Sequence, residues 1–532
     1  MRQYEGTGVR VLVMGNFYIN PDQQYQAVDV FGRRHPMACF RQPGFLDAMR
    51  ARIGDLARAL GRYPAFGGFV LDDGAHVRVD CCYCELCREQ FRAQFGLEPP
   101  PFEPVVGTRR VADSDAVLAW EQFQRESWEV YLRTQSEAVR AVSPDLLMVT
   151  IPSDSFFYGR FLSVEVAPQD TPLGHSGRLQ RIERMQVRHW TIFQSFPLAR
   201  LPEAGESGLQ PWAVGAHITS QSPKMLMQCE GPYAPTYERV QYMSPAEIER
   251  MARLTIAEGA NGLCYWTPAR TLPFYPAAFD AMSEVSREVE QIEDVLVRRT
   301  PLEQPIGLLY STTTEVMEQP WRTNTAERWQ HLHAFEGLAY ALRRCNIPFA
   351  IVMEDELTPE RLRRFEALVL PSVRFLTETG ARAIESAIAQ TGLRAFAAGE
   401  CLSLRGMIAS GCDPLIWHRW ASRGYRQERY ADEQAAELRN TLGHHLEPLI
   451  AAPARVYSER AVGQLYGISG TSDLLMIIVS WDLSELTEVA VEGRGTAVDL
   501  LSGRELGVLD ELGRLAVPPA GWRVLRVSPV AP

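Results

Sequence analysis

The 532-residue sequence lacks three features that would each point to a particular partner or compartment. It has no excess of positive charge: the formal net charge is −11 at pH 7, which argues against nucleic acid as a partner. It has no run of eighteen apolar residues, so no membrane-spanning helix is predicted. Its first residues, M-R-Q-Y-E-G-T-G, are too polar for a secretory signal, so we expect a cytoplasmic protein.

The chain does have ten cysteines, which are clustered rather than spread as pairs. Cys82, Cys84 and Cys87 form a C-x-C-x2-C motif, and Cys39 lies upstream in the segment P-M-A-C-F. This pattern favours a reducing compartment and metal binding over a disulfide scaffold. Thiolates at this spacing can converge on one tetrahedral zinc ion, and four of them leave no position for water, so the predicted site is structural. Two alternatives stay open: a buried group of free thiols, or a site in which Cys81 replaces Cys82.

Residues 1 to about 295 alternate short apolar strands with amphipathic helices, which predicts a parallel α/β architecture. The strand candidates are nearly continuous apolar runs, typical of strands that are buried on both faces as in a barrel. They begin at Val9, Phe66, Leu146, Lys224 and Asn261. A helix is predicted from Ser244, where S-P-A-E supplies an N-cap and a proline at the first helical position, to Gly259.

A second α/β segment begins near Gln304, and a tail without helices begins near Pro453. Strands of an open sheet are predicted to begin at Ile306, Ile347, Ala367 and Arg394, with helices over 326–344 and 378–390. The short strands of the tail predict a small antiparallel β domain. We therefore expect three domains, at 1–298, 299–450 and 451–532.

Three stretches of the sequence resemble glycoside hydrolase family 42, the zinc-bearing β-galactosidases. They run from A-V-D-V-F-G-R-R to C-F-R-Q-P-G-F, from F-G-G-F-V-L-D-D-G to C-Y-C-E-L-C-R-E-Q-F, and from K-M-L-M-Q-C-E-G-P to G-A-N-G-L-C-Y-W. The resemblance implies a catalytic (β/α)8 barrel, an amidotransferase-like trimerisation domain and a C-terminal β domain. It also implies a homotrimer that acts on carbohydrate, with Cys39, Cys82, Cys84 and Cys87 as zinc ligands. The alignment starts near barrel strand 3, so we expect either a late start or a barrel that is incomplete or completed in another way.

Two carboxylates are the candidates for catalysis. The resemblance places the family's acid/base glutamate at Asp73, after Asp72, and its nucleophile at Gln228, two residues before Glu230. Because residues two apart on a strand point to the same side, Glu230 is predicted to be the nucleophile of a retaining reaction and Asp73 its acid/base. A second interpretation stays open, because some fucosidase-like barrels carry an aspartate nucleophile before glycine at the end of strand 4. In that interpretation Asp73 is the nucleophile and Glu230 the acid/base.

Aromatic and polar residues near the strand ends are candidate contacts of a sugar. Trp266 and Tyr233 offer ring faces on which sugar C–H groups stack, and Asn16 offers hydrogen bonds to hydroxyls. Asp72 is a rival for the acid/base role and otherwise a candidate substrate contact. The alternative for each is structural: a tryptophan is most often simply buried, and an aspartate after a strand often caps the following loop.

A different class of function fits the same residues, namely a non-catalytic carbohydrate-binding or assembly protein derived from such an enzyme. Gln228 at the aligned nucleophile position and the unrepresented first strands support this alternative. In the second domain, Cys401 in A-G-E-C-L-S is the one candidate nucleophile, and assembly is the favoured role of that domain.

Overall fold

The computed structural model describes the chain in segments that fall into two compact units. The described residues are 2–6, 9–15, 21–28, 32, 34–73, 82–100, 114–151, 192–195, 225–229, 233–235, 240–242, 244–259, 263–265, 276–311, 313–314, 331, 334–335, 338–339, 342–343, 345–398, 443–480 and 482–529. The first unit comprises Met1–Phe196, Lys224–Leu226 and Val316–Arg328, and the second comprises Pro197–Pro223, Met227–Glu315 and Trp329–Pro532. No helix in these segments is both long and apolar enough to cross a bilayer.

The first unit contains a parallel sheet in which β1, β4, β5 and β6 are neighbours in that order. Its strands are β1 (Val11–Met14), β2 (Gln26–Val28), β3 (Arg34–Ala38), β4 (Phe66–Asp73), β5 (Leu147–Ile151) and β6 (Ile192–Ser195). Its helices are α1 (Pro43–Gly61), α2 (Glu85–Phe95) and α3 (Ser114–Arg140). The β2 and β3 strands form a separate antiparallel hairpin. The strands predicted from Val9, Phe66 and Leu146 are confirmed.

The apolar face of α1 forms the core of the first unit. Phe45, Met49 and Ile53 recur at a helical spacing of four residues and are buried against Phe69 of β4. Gly68 lies in β4 with φ of +139°, and a Cβ at this position would lie 1.9 Å from the carbonyl oxygen of Leu147. Glycine is therefore required where β4 and β5 approach each other.

The next elements along the chain confirm the strands predicted from Lys224 and Asn261 and the helix predicted from Ser244. They are β7 (Met225–Cys229), β8 (Tyr233–Pro235), β9 (Val240–Tyr242), α4 (Pro245–Ala257), β10 (Leu263–Tyr265), α5 (Pro276–Leu296) and β11 (Arg299–Pro301). Residues 227–229 of β7 pair in parallel with β10, and β8 pairs with β9 as an antiparallel hairpin.

An open parallel sheet follows in the second unit, with strand order β13-β12-β14-β15. Its elements are β12 (Ile306–Tyr310), β13 (Ala350–Met353), α6 (Pro359–Leu362), β14 (Ala367–Pro371), α7 (Glu378–Thr391) and β15 (Arg394–Ala398). Every residue of β12 and β14 is buried, as their continuous apolar sequence predicts. Thr377 caps α7 by accepting a hydrogen bond from the backbone N–H of Gly380, and Gly392 ends the helix in the left-handed conformation.

The last segment of the second unit folds into two antiparallel sheets, as predicted for the tail, but the expectation of a tail without helices is wrong because a short helix lies at Leu509–Leu512. Their orders are β11-β17-β18-β23-β20-β21 and β16-β19-β22. The elements are α8 (His444–Leu446), β16 (Ala454–Tyr457), β17 (Ala461–Ile468), β18 (Leu474–Ser480), β19 (Thr487–Gly493), β20 (Thr496–Asp499), β21 (Glu505–Val508), α9 (Leu509–Leu512), β22 (Arg514–Val517) and β23 (Trp522–Ser528). Short 3-10 helices lie at Arg2–Tyr4, Gln23–Tyr25, Glu354–Glu356 and Glu447–Leu449. The α/β fold class is thus confirmed, and the closure of the parallel strands into a barrel stays a prediction.

Candidate metal centre and active-site residues

The four predicted cysteines come together in the first unit. The sulfur of Cys39 lies 3.5 Å from that of Cys87 and 3.8 Å from that of Cys84, and all four sulfurs lie within 4.8 Å of one another. Cys39, Cys82 and Cys87 are buried and Cys84 is half-buried. The sequence motif therefore folds into a compact cluster of thiols whose members come from two distant segments.

Local structure fixes each half of the cluster. Cys39 follows β3, and its backbone N–H donates to the carbonyl of Tyr25 over 2.8 Å. Cys84 is the N-cap residue of α2, so Cys87 lies in the first turn of that helix. The backbone N–H of Val28, at the end of β2, donates to the sulfur of Cys82 over 3.5 Å. The β2–β3 hairpin thus contacts both halves through its backbone.

Aromatic side chains surround the thiols on the side of α3. Trp120 and Phe123 of α3 are fully buried and pack against Phe91 of α2, with ring centroids 4.9 Å and 5.7 Å away, and the same core includes Cys39, Cys82 and Cys87. Water is therefore excluded from most of the cluster, which makes charged sulfurs costly unless a cation compensates them.

The thiols perturb one another's proton affinities. Hydrogen bonds from the neighbouring thiols lower the pKa of the Cys84 thiol, and the bond from Cys39 has the largest effect. The pKa of the Cys39 thiol is raised, mainly by its hydrogen bond with Cys82 and also by burial. The pKa of the Cys87 thiol is raised mainly by its hydrogen bond with Cys39. One deprotonated cysteine, Cys84, is thus stabilised by hydrogen bonds from the protonated ones. Deprotonation of the remaining cysteines is then expected only when a metal ion binds.

The geometry of the sulfurs fits a tetrahedral metal ion. With Zn–S bonds of about 2.3 Å, the edge of a ZnS4 tetrahedron is about 3.8 Å. The separations of Cys39 from Cys87 and Cys84, 3.5 Å and 3.8 Å, are close to this length, and the other sulfur–sulfur separations are no longer than 4.8 Å. Four sulfur donors suit zinc better than calcium or magnesium, which prefer oxygen. The cluster could therefore hold a metal ion.

Arg41 connects the cluster to α3, and its role was missed in the sequence. Its guanidinium donates to the hydroxyl of Ser127 over 2.7 Å and to the carbonyl of Phe123 over 3.0 Å, and it pairs with Glu126 at 3.5 Å. Glu126 also accepts a hydrogen bond of 2.8 Å from Gln94 of α2. One carboxylate of α3 thus links the segment of Cys39 with the helix of Cys84 and Cys87. Only the position of Arg41, two residues after a predicted ligand, was a signal for this role.

The predicted carboxylates are placed by the backbone of β4. Asp72 and Asp73 are the last two residues of this strand, in register with Thr150 and Ile151 of the parallel neighbour β5. The carboxyl ends of neighbouring parallel strands lie at the same edge of a sheet, where α/β enzymes carry their functional groups. Asp72 and Asp73 therefore lie where a catalytic residue of this fold class is expected.

The other predicted site residues are described only in part. Tyr233 is the first residue of β8, and its backbone pairs with Tyr242 of β9. Glu230, directly after β7, and Trp266, directly after β10, lie outside the described residues, as do Asn16, Cys81 and Cys401. Gln228 is the penultimate residue of β7. The roles of Asp73, Glu230, Trp266, Tyr233, Asn16 and Asp72 stay predictions.

The carboxyl edge of the open sheet carries a second buried polar cluster, which was also missed in the sequence. Glu354, directly after β13, accepts hydrogen bonds from the hydroxyls of Ser311 (3.0 Å) and Thr313 (2.8 Å) and from the backbone N–H of Thr377 (2.7 Å). The ring of His331 bridges two strands, since its Nε2 accepts from the backbone N–H of Ser311 over 2.8 Å and its Nδ1 lies 2.6 Å from the carbonyl of Pro371. Side chains of the protein itself thus link the ends of β12 and β14.

Comparison with known proteins shows which solved structures share this fold. No family model matches the sequence, and no curated protein matches it. The β-galactosidase of Bacillus circulans sp. alkalophilus has a similar structure, with a TM-score of 0.68 at 12% identity, over 99% of this chain and 90% of that one. A GH42 β-galactosidase from G. stearothermophilus gives 0.64 at 12% over 97% and 88%. An α-L-fucosidase of Paenibacillus thiaminolyticus gives 0.63 at 14% over 100% and 89%. The chain therefore has a fold like that of GH42 β-galactosidases, as the resemblance in sequence implied.

Proposed function

We propose that this protein is a glycoside hydrolase that acts on a small glycoside or oligosaccharide in the manner of a β-galactosidase. The observation that supports this most is the end of β4, where two consecutive carboxylates terminate a parallel strand in a fold shared with glycosidases. The catalytic part is proposed to be a (β/α)8 barrel over 1–298.

The proposed reaction is exo-acting and retains the configuration of the anomeric carbon. Asp73 protonates the departing glycosidic oxygen and Glu230 attacks the anomeric carbon, and Asp73 then activates the water that releases the sugar. This mechanism requires the two carboxyl groups to lie about 5–5.5 Å apart. Trp266 and Tyr233 are proposed to stack on the sugar, with Asn16 and Asp72 binding its hydroxyls.

Zinc is proposed to bind Cys39, Cys82, Cys84 and Cys87 in a structural role. When bound, it would offset part of the negative charge of the four sulfurs, and four sulfur ligands would leave no position for a reacting water. Three of the four cysteines, Cys82, Cys84 and Cys87, follow Asp73 by nine to fourteen residues in the sequence.

A second assignment of roles keeps the same two carboxylates. The structural likeness to an α-L-fucosidase favours it, because Asp73 precedes Gly74 at the end of β4 as expected of a fucosidase-like nucleophile. In this assignment Asp73 attacks the anomeric carbon and Glu230 supplies the proton.

The test is a panel of aryl glycosides: β-galactoside, β-glucoside, β-mannoside and α-L-fucoside. Wild type is compared with Asp73→Asn and Glu230→Gln, each of which is expected to lose at least about 10³-fold in kcat/KM on the substrate that is cleaved. The configuration of the glycosyl azide formed with added azide identifies the nucleophile: it is inverted when azide replaces the missing nucleophile and retained when azide attacks the glycosyl-enzyme of an acid/base variant.

Matched controls are Asp47→Asn and Glu284→Gln, which change exposed carboxylates of α1 and α5 and should leave the rate within about twofold of wild type. Rates that are equally unaffected in Asp73→Asn and Glu230→Gln would refute the assignment. Sugar binding without cleavage of any substrate would favour the non-catalytic carbohydrate-binding alternative.

The remaining expectations are proposals of the same kind. We propose a trimerisation domain over 299–450 and a β domain over 451–532, a homotrimeric assembly and a cytoplasmic location. The trimerisation domain is supported by the open sheet. The carboxyl edge of this sheet, where α/β proteins usually bind ligands, is occupied by His331 and the hydrogen bonds of Ser311, which suits assembly better than ligand binding.

A further inference from the structure

A cavity of about 410 Å³ lies within the second unit, at the amino edge of the open sheet. Pro305 and Glu366, which precede β12 and β14, line one side, and their backbones are hydrogen-bonded over 2.7 Å. The β16 and β17 strands line the opposite side. The described residues that line the cavity include none of the four cysteines and none at the carboxyl end of β12. Its volume falls within the range of small-molecule sites.

Much of the wall of this cavity is apolar. Leu449, Ile450, Val456 and Met476 contribute aliphatic or thioether groups, and Ile450, Val456 and Met476 are otherwise buried. Such a wall favours a ligand that presents C–H groups on at least one face.

The floor of the cavity carries polar groups with unused hydrogen-bonding capacity. Arg343 is 2% exposed, and its Nε and Nη2 both donate to Oε1 of the buried Glu258. Gln464 donates from Nε2 to the other oxygen of Glu258 over 2.9 Å. Among the residues that the structure describes, Nη1 of Arg343 and Oε1 of Gln464 have no hydrogen-bond partner. Both residues line the cavity and are held by the same carboxylate, so the cavity wall includes one residue with an unused donor and one with an unused acceptor.

The rim of the cavity has balanced charge. Two arginines, Arg364 and Arg455, and two glutamates, Glu303 and Glu366, line it, and none of the four forms an ion pair within the described part of the chain. The charge of Arg343 is compensated by Glu258. The cavity thus has no net preference for an anion or a cation, but it offers donors and acceptors together.

We propose that this cavity binds a neutral hydroxylated molecule of the size of a mono- or disaccharide. A hydroxyl group can accept from Nη1 of Arg343 and donate to Oε1 of Gln464 at the same time, which neither a carboxylate nor an ammonium group can do. Further hydroxyls of the ligand reach Arg364, Glu303 and Glu366 at the rim, while its C–H faces contact the apolar wall. The site is distinct from the proposed catalytic carboxylates and does not depend on their activity.

Binding is tested by calorimetric titration of the full chain carrying Asp73→Asn and Glu230→Gln, with D-galactose, D-glucose and lactose as probes. We expect at least one sugar to bind with a Kd near or below about 1 mM. Ala452 is a half-buried residue of the cavity wall, so Ala452→Trp should fill the cavity and abolish one binding site per chain. Arg364→Met should weaken sugar binding about tenfold. Ala277→Trp, at an exposed position of α5, is the matched control and should leave binding unchanged.

Three results would overturn the proposal. The first is that no probe binds at concentrations up to about ten times the expected Kd. The second is sugar binding that Ala452→Trp leaves intact. The third is binding of inorganic phosphate in preference to the sugars, which would identify an anion site. Circular dichroism spectra of the variants, identical to that of the parent chain, separate loss of binding from misfolding. In the otherwise unmutated chain, Ala452→Trp should keep any aryl-glycoside hydrolysis, so a failure of the proposed catalytic function is recognised separately.

Discussion

Cys39 supplies one of the four sulfurs from a segment more than forty residues before the other three. We predict that Cys39→Ser lowers the zinc bound by the purified protein from about one ion to well below one per chain, because three thiolates and a buried hydroxyl bind zinc much more weakly than four thiolates. Bound metal is measured by atomic emission together with protein concentration. Cys345→Ser changes a half-buried cysteine of the second unit that is remote in sequence from the four predicted ligands, and it should retain full occupancy. Equal zinc content in both variants would contradict the assignment of Cys39 as a ligand.

His331 should make the stability of the second unit sensitive to acid. Burial lowers the pKa of His331 from 6.5 to about 4, and the ring is held neutral because Ser311 N–H donates to Nε2 while Nδ1–H donates to Pro371. The stabilisation is fully present above pH 6.5 and is lost as the pH falls towards 4, since the unfolded chain binds the proton first. The loss at pH 4 is about 3 kcal/mol in the free energy of unfolding. It is measured by denaturant titrations between pH 4 and 7.

The control for this pH dependence is a pair of histidine variants. His331→Gln keeps one donor and one acceptor without a titrating group, so its stability should vary less between pH 6.5 and 4 than that of wild type. His444→Gln, at an exposed position, should keep the wild-type dependence. A wild-type slope in His331→Gln would show that another group is responsible.

Residues that act through their own chain neighbours could be predicted from the sequence, and residues that act across the fold could not. The spacing of Cys82, Cys84 and Cys87 led to the cluster because short loops bring such thiols together in many folds. Arg41 and Glu126 are separated by 85 positions, and their contact depends on how α3 packs. No local pattern encodes that packing.

At the scale of elements, α3 is the support that holds the two halves of the thiol cluster at a fixed distance. Arg41 binds three groups of α3, and its guanidinium lies 4.1 Å from the ring centre of Phe123. Gln94 attaches α2 to the same helix through Glu126. The ligands are therefore positioned before a metal ion binds, which should slow its release.

We predict that Arg41→Met releases zinc to a chromophoric chelator about 10–100-fold faster than wild type, the usual effect of losing a group that orients metal ligands. Arg92→Met is the control, because this arginine of α2 pairs with the exposed Glu98 and not with α3. The unfolding midpoint of the metal-free protein is recorded in parallel. If the unfolding midpoint falls equally in both variants while only Arg41→Met releases zinc faster, the faster release is due to lost positioning of the ligands and not to lower stability. Equal rates of zinc release in the two variants would refute the prediction.

Elements with one dominant pattern were predicted well. The apolar runs of β4, β12 and β14 identified parallel strands, and S-P-A-E identified the start of α4, because burial on both faces and helix capping are local requirements. The β17 strand was missed, since its two interior glycines and Gln464 interrupt the apolar run. Gly463 is needed there because a Cβ would lie 2.4 Å from a methyl group of Val456 in β16, a contact that arises only when the two antiparallel sheets pack together.

At the scale of the molecule, one buried carboxylate joins three segments that the sequence assigns to different domains. Glu258 follows α4, Arg343 lies between β12 and β13 of the open sheet, and Gln464 lies in β17, yet all three side chains meet within the second unit. Tyr466 of β17 reinforces this junction by donating to the carbonyl of Ala257 over 2.6 Å. Composition and periodicity are properties of single segments and carry no information on such a junction.

Removing the negative charge of this junction should therefore destabilise the whole second unit. Arg343 and Glu258 are almost fully buried, so Glu258→Gln leaves a guanidinium without its counter-charge in an apolar surrounding. The expected loss is about 3–5 kcal/mol in the free energy of unfolding, measured by urea denaturation. Glu378→Gln removes one partner of an exposed pair with Arg382 on α7 and should cost no more than about 0.5 kcal/mol. If Glu258→Gln also costs no more than about 0.5 kcal/mol, water must reach Arg343 through the adjoining cavity. The junction would then orient the three segments but add little to the free energy of unfolding.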